Sequence, residues 1–249
     1  TDGGYEQQQY GVLAGRHWST GGIVAAYEFE RDTEIVARQR SYAAEVSPGL
    51  TLFPSIKRHN VMIGAHQEIS PNVSVAVDGL YNKRWSTTRY QTFPQTKWFV
   101  NGNEQNSITE SFAVSPSVTF SPSSSWEVTA VGVYGEERAR FDYRPYRNGV
   151  LSRSAGCYCN TAKSVELNAD GELLALPAGA LKVAFGTGYR ENRLVVESTI
   201  GSTQPLDGRQ KVYYAFGEVS VPLIAPSLAS PLGDALTLSA AARYENYRG

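Results

Sequence analysis

Between Arg138 and Arg147 the chain gathers Arg138, Arg140, Tyr143, Arg144, Tyr146 and Arg147, and a separate polar stretch supplies Trp98 and Phe99. Guanidinium groups grip anions through forked hydrogen bonds, and aromatic rings stack on flat or cationic groups. Recognition of an anionic or aromatic small molecule is the chemistry these eight side chains offer. Simple solvation, or contact with phosphate groups, is the plainer alternative.

The remaining reactive residue types lack catalytic spacing. His17, His59 and His66 are scattered, and the seven-residue step from His59 to His66 puts those two on opposite faces of one strand. Ser123-Ser124-Ser125 has no Gly-x-Ser-x-Gly around it and reads as a turn. Gly186-Thr187-Gly188 lacks the third glycine and the helix of a phosphate cradle. Two cysteines, Cys157 and Cys159 in a Cys-Tyr-Cys run, cannot complete a tetrahedral zinc site, and a bridge between positions two apart would be strained. They read either as a loop disulfide of an oxidising compartment or as two unpaired thiols. No catalytic residue, metal site or cofactor is expected, and an outer-membrane protease or lipase stands as the enzyme alternative.

The elements that must position these residues are strands. The chain has 249 residues, 23 basic and 24 acidic side chains and a net charge of -1, with no basic cluster, so nucleic-acid binding is not expected. The longest near-continuous apolar run, Leu173 to Leu181, is broken by Pro177 and falls far short of the roughly 20 residues of a membrane helix. Glycine (23), tyrosine (15), phenylalanine (9) and tryptophan (4) against one methionine suit strands, turns and interfacial rings.

Ser164 to Arg190 is the clearest unit. Val165, Leu167, Ala169, Gly171 and Leu173 alternate with Glu166, Asn168, Asp170 and Glu172; Leu176-Pro177-Ala178-Gly179 turns the chain; Leu181, Val183, Phe185 and Tyr189 then oppose Lys182, Ala184, Gly186 and Arg190. Arms of about eleven residues exceed the usual strand of about 5–6 and match the roughly 9–11 of a tilted strand crossing a bilayer. A soluble sandwich is the competing explanation of one such hairpin.

Four more hairpins follow the same plan, and the expectation is ten strands in five hairpins with short turns near residues 20, 71, 123, 178 and 229. Long polar loops are expected at 32–55, 86–107, 137–160 and 191–209. Pro116 lies inside a strand, where a bulge or a missing ladder bond is expected. The period of about 50 is also that of a kelch propeller, whose blades, however, hold four short strands rather than two long ones.

Aromatics recur eight residues from the short-turn end: Val73 to Tyr81, Trp126 to Tyr134, Leu181 to Tyr189, Leu236 to Tyr244 and, in reverse, Phe120 to Phe112. Eight residues span about 26 Å along a strand and about 20 Å of height when tilted, near the roughly 25 Å apolar band of an outer-membrane barrel. The expected fold is an all-β, transmembrane, antiparallel up-and-down β-barrel. Leu173, Leu181, Val183, Phe185 and Tyr189 should meet lipid. Asp78, Arg84, Glu166, Asp170, Glu172, Lys182, Arg190 and Arg243 should face the lumen, and Pro177-Ala178-Gly179 should be a periplasmic turn.

Gly21 to Phe29, Leu176-Pro177-Ala178-Gly179 with Gly188-Tyr189-Arg190, Val219 to Leu223 and Leu238 to Tyr247 together resemble the barrel of TonB-dependent outer-membrane receptors, over nearly the whole chain. The resemblance implies about twenty-two strands, a plug in the lumen and a segment contacting TonB, none of which fits here, so the chain is expected to be part of a larger barrel, residues 1–249. It further implies uptake of a scarce small molecule such as an iron-siderophore complex, contacted by the loop residues named above, in a bacterial outer membrane with its lipid as surroundings. A passive porin or structural barrel is the alternative.

Overall fold

The computed structural model describes residues 3–93, 96–198, 205–225 and 235–249. Ten long strands form one antiparallel sheet in which each pairs with the next in sequence. They are β1 (Gln7–Trp18), β2 (Gly21–Asp32), β5 (Ser55–Ser70), β6 (Val73–Gln91), β7 (Gly102–Ser123), β8 (Trp126–Arg147), β10 (Ser154–Leu176), β11 (Gly179–Ser198), β12 (Leu206–Ile224) and β13 (Leu236–Arg248). The short β9 (Val150–Leu151) adds to β8, while β3 (Ile35–Val36) and β4 (Thr51–Phe53) pair separately. The expected up-and-down sheet of ten long strands is therefore present. Strands β1 and β13 are its edges, and among the described residues no ladder joins them.

Three of the expected long loops are shorter than the sequence suggests. Strands β6 and β7 close to a connection of 92–101, β8 and β10 to 148–153, and β11 and β12 to 199–205. In these extensions the period breaks down, because charged side chains such as Arg89, Glu104 and Arg144 continue the apolar side while Phe141, Tyr143 and Tyr158 lie on the polar side, and cross-strand pairs keep the ladders going. The fourth segment, 33–54, holds β3, β4 and two single 3-10 turns, and its Val36, Ala37 and Ala43 are buried. The turn anticipated through Pro226, Pro231 and Gly233 lies outside the described residues.

Pro116 keeps its register with Val77 of β6, but the β7–β8 ladder skips Ser115 and Pro116 without shifting; the outcome is missing pairs, not a bulge. Bulges occur instead beside three short turns, at Glu68/Ser70, Phe120/Ser123 and Glu172/Leu174, and near the end of β12 at Pro222/Ile224. Gly179 closes the Pro177-Ala178 turn at φ +132°, a conformation that a side chain would strain.

A compact soluble protein of 27.2 kDa exposes about 11,000 Å²; this chain exposes 15797 Å². The excess follows from the single-layer architecture. Phe120, Leu167 and Phe185 on the apolar face are 44 %, 49 % and 51 % exposed, and no second sheet of this chain covers them. A sandwich is thereby ruled out for the described residues.

Candidate functional site

The apolar face is bounded by rings whose polar tips point away from it. Near the short turns, Trp18 Nε1 donates to Gln67 Oε1 at 2.8 Å and Trp126 Nε1 to the Glu172 carbonyl at 2.9 Å. At the other margin, the Tyr81 hydroxyl donates to Glu110 at 2.8 Å, Tyr134 to Glu136 and Tyr189 to Glu191 at 2.5 Å, while the Tyr27 hydroxyl meets His59 Nδ1 at 2.8 Å. Every one of these partners lies farther from the short turns than its tyrosine. Each ring thus has its body on the apolar band and its hydroxyl in a charged belt, as an amphipathic side chain between oil and water requires.

This tyrosine margin is stepped. Tyr27, Tyr81 and Phe112 share a row through Val61. Tyr134 lies two residues nearer the short turns than that row, Tyr189 and Tyr213 two nearer again, and Tyr244 a further two. The displacement is six residues over the six strand steps from β6 to β13.

The arginine-rich stretch is strand β8, not loop, and alternation divides its candidates. Arg138, Arg140, Arg144 and Tyr146 lie on the side that continues the apolar face; Tyr143 and Arg147 lie on the polar face. Most of the first group is already satisfied. Arg144 pairs with Asp142 at 2.8 Å and Glu104 at 3.3 Å, Glu104 with Arg89 at 2.8 Å, Asp142 with Arg153 at 2.8 Å, and Arg138 with Glu136 at 3.1 Å. Arg153 first, then Arg144, hold the Asp142 carboxyl below its usual range.

Trp98 and Phe99 do lie in a connection, edge-to-face at 5.8 Å, but Trp98 also packs edge-on to Tyr146 at 5.5 Å and under the Arg89 guanidinium at 5.6 Å. A Cβ on Gly49 would come within 2.7 Å of the indole nitrogen, so the 33–54 segment seats against this ring. Trp98 is therefore a packing residue that ties the long segment to the sheet. The expectation that Arg138, Arg140, Tyr143, Arg144, Tyr146 and Arg147 lie in a loop is corrected: they lie on β8, whose pleating turns neighbours in sequence to opposite sides.

The polar face at the same end holds a concave surface of about 680 Å³ lined by Gln105, Ser107 and Thr109 of β7, Phe141 and Tyr143 of β8 and Tyr158 of β10, with Arg147 at its rim. The Phe141 and Tyr158 rings lie 5.5 Å apart. Burial first, then the Tyr143 hydroxyl, pushes the neighbouring Tyr90 up to about 12, so it stays a neutral hydrogen-bonding group. Uncharged donors, flat rings and the guanidinium groups of Arg147, Arg140 and Arg153, which also line it, make this the arrangement best suited to a small molecule.

Asp78, Arg84, Glu166, Asp170, Glu172, Arg190 and Arg243 all project from the polar face, as expected from alternation. Among them Glu166 accepts from Asn168 at 2.9 Å and from Tyr214 at 2.5 Å, and the Arg243 guanidinium sits 4.4 Å over the Tyr214 ring while donating to Glu245 at 2.7 Å. Sequence reasoning missed an apolar island on this face: Leu13, Ala26, Met62, Leu80 and Ala113 line a second concavity of about 680 Å³ beside the Glu28–Asn60–Asn82 hydrogen-bonded row. Met62 and Leu80, out of phase with their strands, were the available signal.

Cys157 and Cys159 are bonded to each other within β10, whereas the sequence placed them in a loop; both project from the same side of the strand. No protein-family model matches the chain, and no curated protein matches it.

Proposed function

We propose that this chain is the wall of an outer-membrane β-barrel that takes up a scarce small molecule in the manner of TonB-dependent receptors. The observation that carries the membrane reading is the exposed apolar band bordered on both sides by rings whose polar atoms point outward from it. In this reading the apolar face meets lipid and the polar face lines the lumen. Lipid cannot satisfy free backbone groups, so the edges of β1 and β13 pair with further strands of a larger barrel.

The receptor reading is supported by asymmetry. One end has tight turns, and the other carries strands of up to 23 residues that run past the tyrosine margin and hold the Tyr143 surface above it. A ferric chelate with anionic and aromatic groups fits rings, neutral donors and a guanidinium. TonB would act through a segment outside this chain.

The test has two stages. Flotation of the full-length protein with phosphatidylcholine vesicles reports insertion, and failure to float sinks the membrane reading. Titration of the inserted protein with ferric chelates then separates receptor from passive porin: saturable binding at micromolar or lower concentration is expected, whereas conductance of a lipid bilayer without saturable binding favours the porin.

A further inference from the structure

The outward wall just beyond the tyrosine margin carries more cations than carboxylates. Arg31, Lys57, Trp85, Ile108 and Arg140 are directly opposed across β2, β5, β6, β7 and β8, and the adjoining row contains Lys83, Glu110 and Arg138. Among these five cations Lys83 has Glu110 at 3.5 Å and Arg138 has Glu136 at 3.1 Å, and both carboxylates also accept from tyrosine hydroxyls. Among the described residues no carboxylate lies within ion-pair distance of Arg31, Lys57 or Arg140, and all three are exposed. The chain as a whole has net charge -1, so this is a local excess.

The patch is also held in place. The Lys57 ammonium lies 5.4 Å over Trp85 and 5.9 Å over Phe29, and Lys83 lies 5.2 Å over Trp85, so the lysine stems rest on rings instead of ranging through solvent. Its cations stand two to six residues beyond the tyrosines of their own strands or row, roughly 5–16 Å in height; lipid headgroups occupy roughly the first 5–8 Å above an apolar band, and long Lys and Arg side chains reach down to them. Four strand steps give it a width of about 19 Å, enough for one lipid headgroup.

Resting on the membrane reading above, we infer that the outer wall of β2–β8 binds the phosphate-bearing headgroup of a membrane lipid through Arg31, Lys57 and Arg140, with Lys83 and Arg138 at its border. The phosphate replaces the missing carboxylates. The acyl chains run down the apolar face below Tyr27, Tyr81 and Phe112.

The full-length protein in neutral detergent is titrated with phosphatidic acid, phosphatidylcholine or inorganic phosphate, and retained lipid is counted by native mass spectrometry. Expected is retention of phosphatidic acid about tenfold stronger than of phosphatidylcholine, reduced roughly tenfold or more in Lys57→Gln/Arg140→Gln. Lys182→Gln, on the polar face, should leave it unchanged. Single variants, each expected to lose part of the preference, serve if the double variant does not fold. Equal retention of both lipids, or an unaltered preference in the variants, overturns the inference. Displacement by inorganic phosphate at equal concentration overturns it in favour of a soluble anion. Failure to float with phosphatidylcholine vesicles removes this inference together with the membrane reading, whereas flotation without lipid preference removes this inference alone.

Discussion

Tyr214 reaches Glu166 across an intervening strand, and only glycine at position 188 lets it. The hydroxyl of Tyr214 on β12 donates to Glu166 on β10 at 2.5 Å, its ring lying flat over Gly188 of β11, where a Cβ would come within 2.4 Å of the ring. Tyr214 is 8 % exposed, so its hydroxyl has little water to turn to. Phe216 lies over Gly186 in the same way, with a Cβ there 2.6 Å from its ring.

Gly188→Val should therefore expel the Tyr214 ring and break its bond to Glu166, whereas Tyr214→Phe removes the hydroxyl alone. Bonds to charged groups contribute about 1.5–3 kcal/mol, so Tyr214→Phe should lower stability by about that amount and Gly188→Val by more. Thermal unfolding in detergent checks the order; a neutral Gly188→Val would refute the account of the notch.

Placing a charge on each face separates lipid from water. Leu167→Arg, on the apolar face, should destabilise by about 2–4 kcal/mol in a bilayer, and Ser117→Arg, on the polar face, by less than about 0.5 kcal/mol. Denaturant unfolding in vesicles measures both. Equal effects would mean that the apolar face is not in hydrocarbon.

Asp142 gives the strands beyond the tyrosines a dependence on pH. Arg153 and then Arg144 lower its pKa in the folded state, so its stabilisation is complete above the unfolded value near ~4 and disappears as pH falls through the lower folded value. Amide exchange of the β8–β9–β10 tip should accelerate as pH drops below about 4, after correction for the intrinsic rate. In Asp142→Asn the tip should exchange faster at neutral pH, with that acid dependence gone.

Of the two faces of β8, binding of a ferric chelate should respond to the polar one. Tyr143→Ala and Arg147→Ala should each weaken it about tenfold, the cost of one charged or stacked contact. Arg144→Ala, across the strand, should leave affinity unchanged while loosening the tip. Titration of the full-length protein decides, and the reverse pattern would move the ligand to the outer side.

Strand number, order and face were legible because the ten long strands alternate apolar with polar over the central part of each, and because Pro, Gly and Ser punctuate the turns. Upper strand ends were illegible for a physical reason: Glu104, Arg144 and Arg89 pair sideways across β6, β7 and β8 on the side that is apolar lower down, while Phe141 and Tyr143 lie on the opposite side, so the apolar period does not continue. Asn148-Gly149 did offer a signal. Both residues have positive φ and make the tight turn from Arg147 to Val150, and read that way they would have placed Arg138 to Arg147 on a strand. The division of the candidate residues followed from pleating once the strand was known, but the apolar island needed the register, since Leu13, Met62 and Leu80 come together only when β1, β5 and β6 are aligned.

From β6 to β13 a mean displacement of one residue per strand along the tyrosine margin inclines that part of the wall, for about 3.3 Å of rise set against about 4.8 Å of spacing is a slope of about 35°. Tyr143, nine residues beyond Tyr134, then stands about 24 Å above the ring of tyrosines. In the membrane reading, headgroups occupy roughly the first 5–8 Å of that height, so Tyr143 and Arg147 stand about two Debye lengths beyond them at physiological ionic strength, where the headgroup potential has decayed to roughly a tenth. The affinity of a ligand held there should then respond to the salt in the medium far more than to the lipid composition.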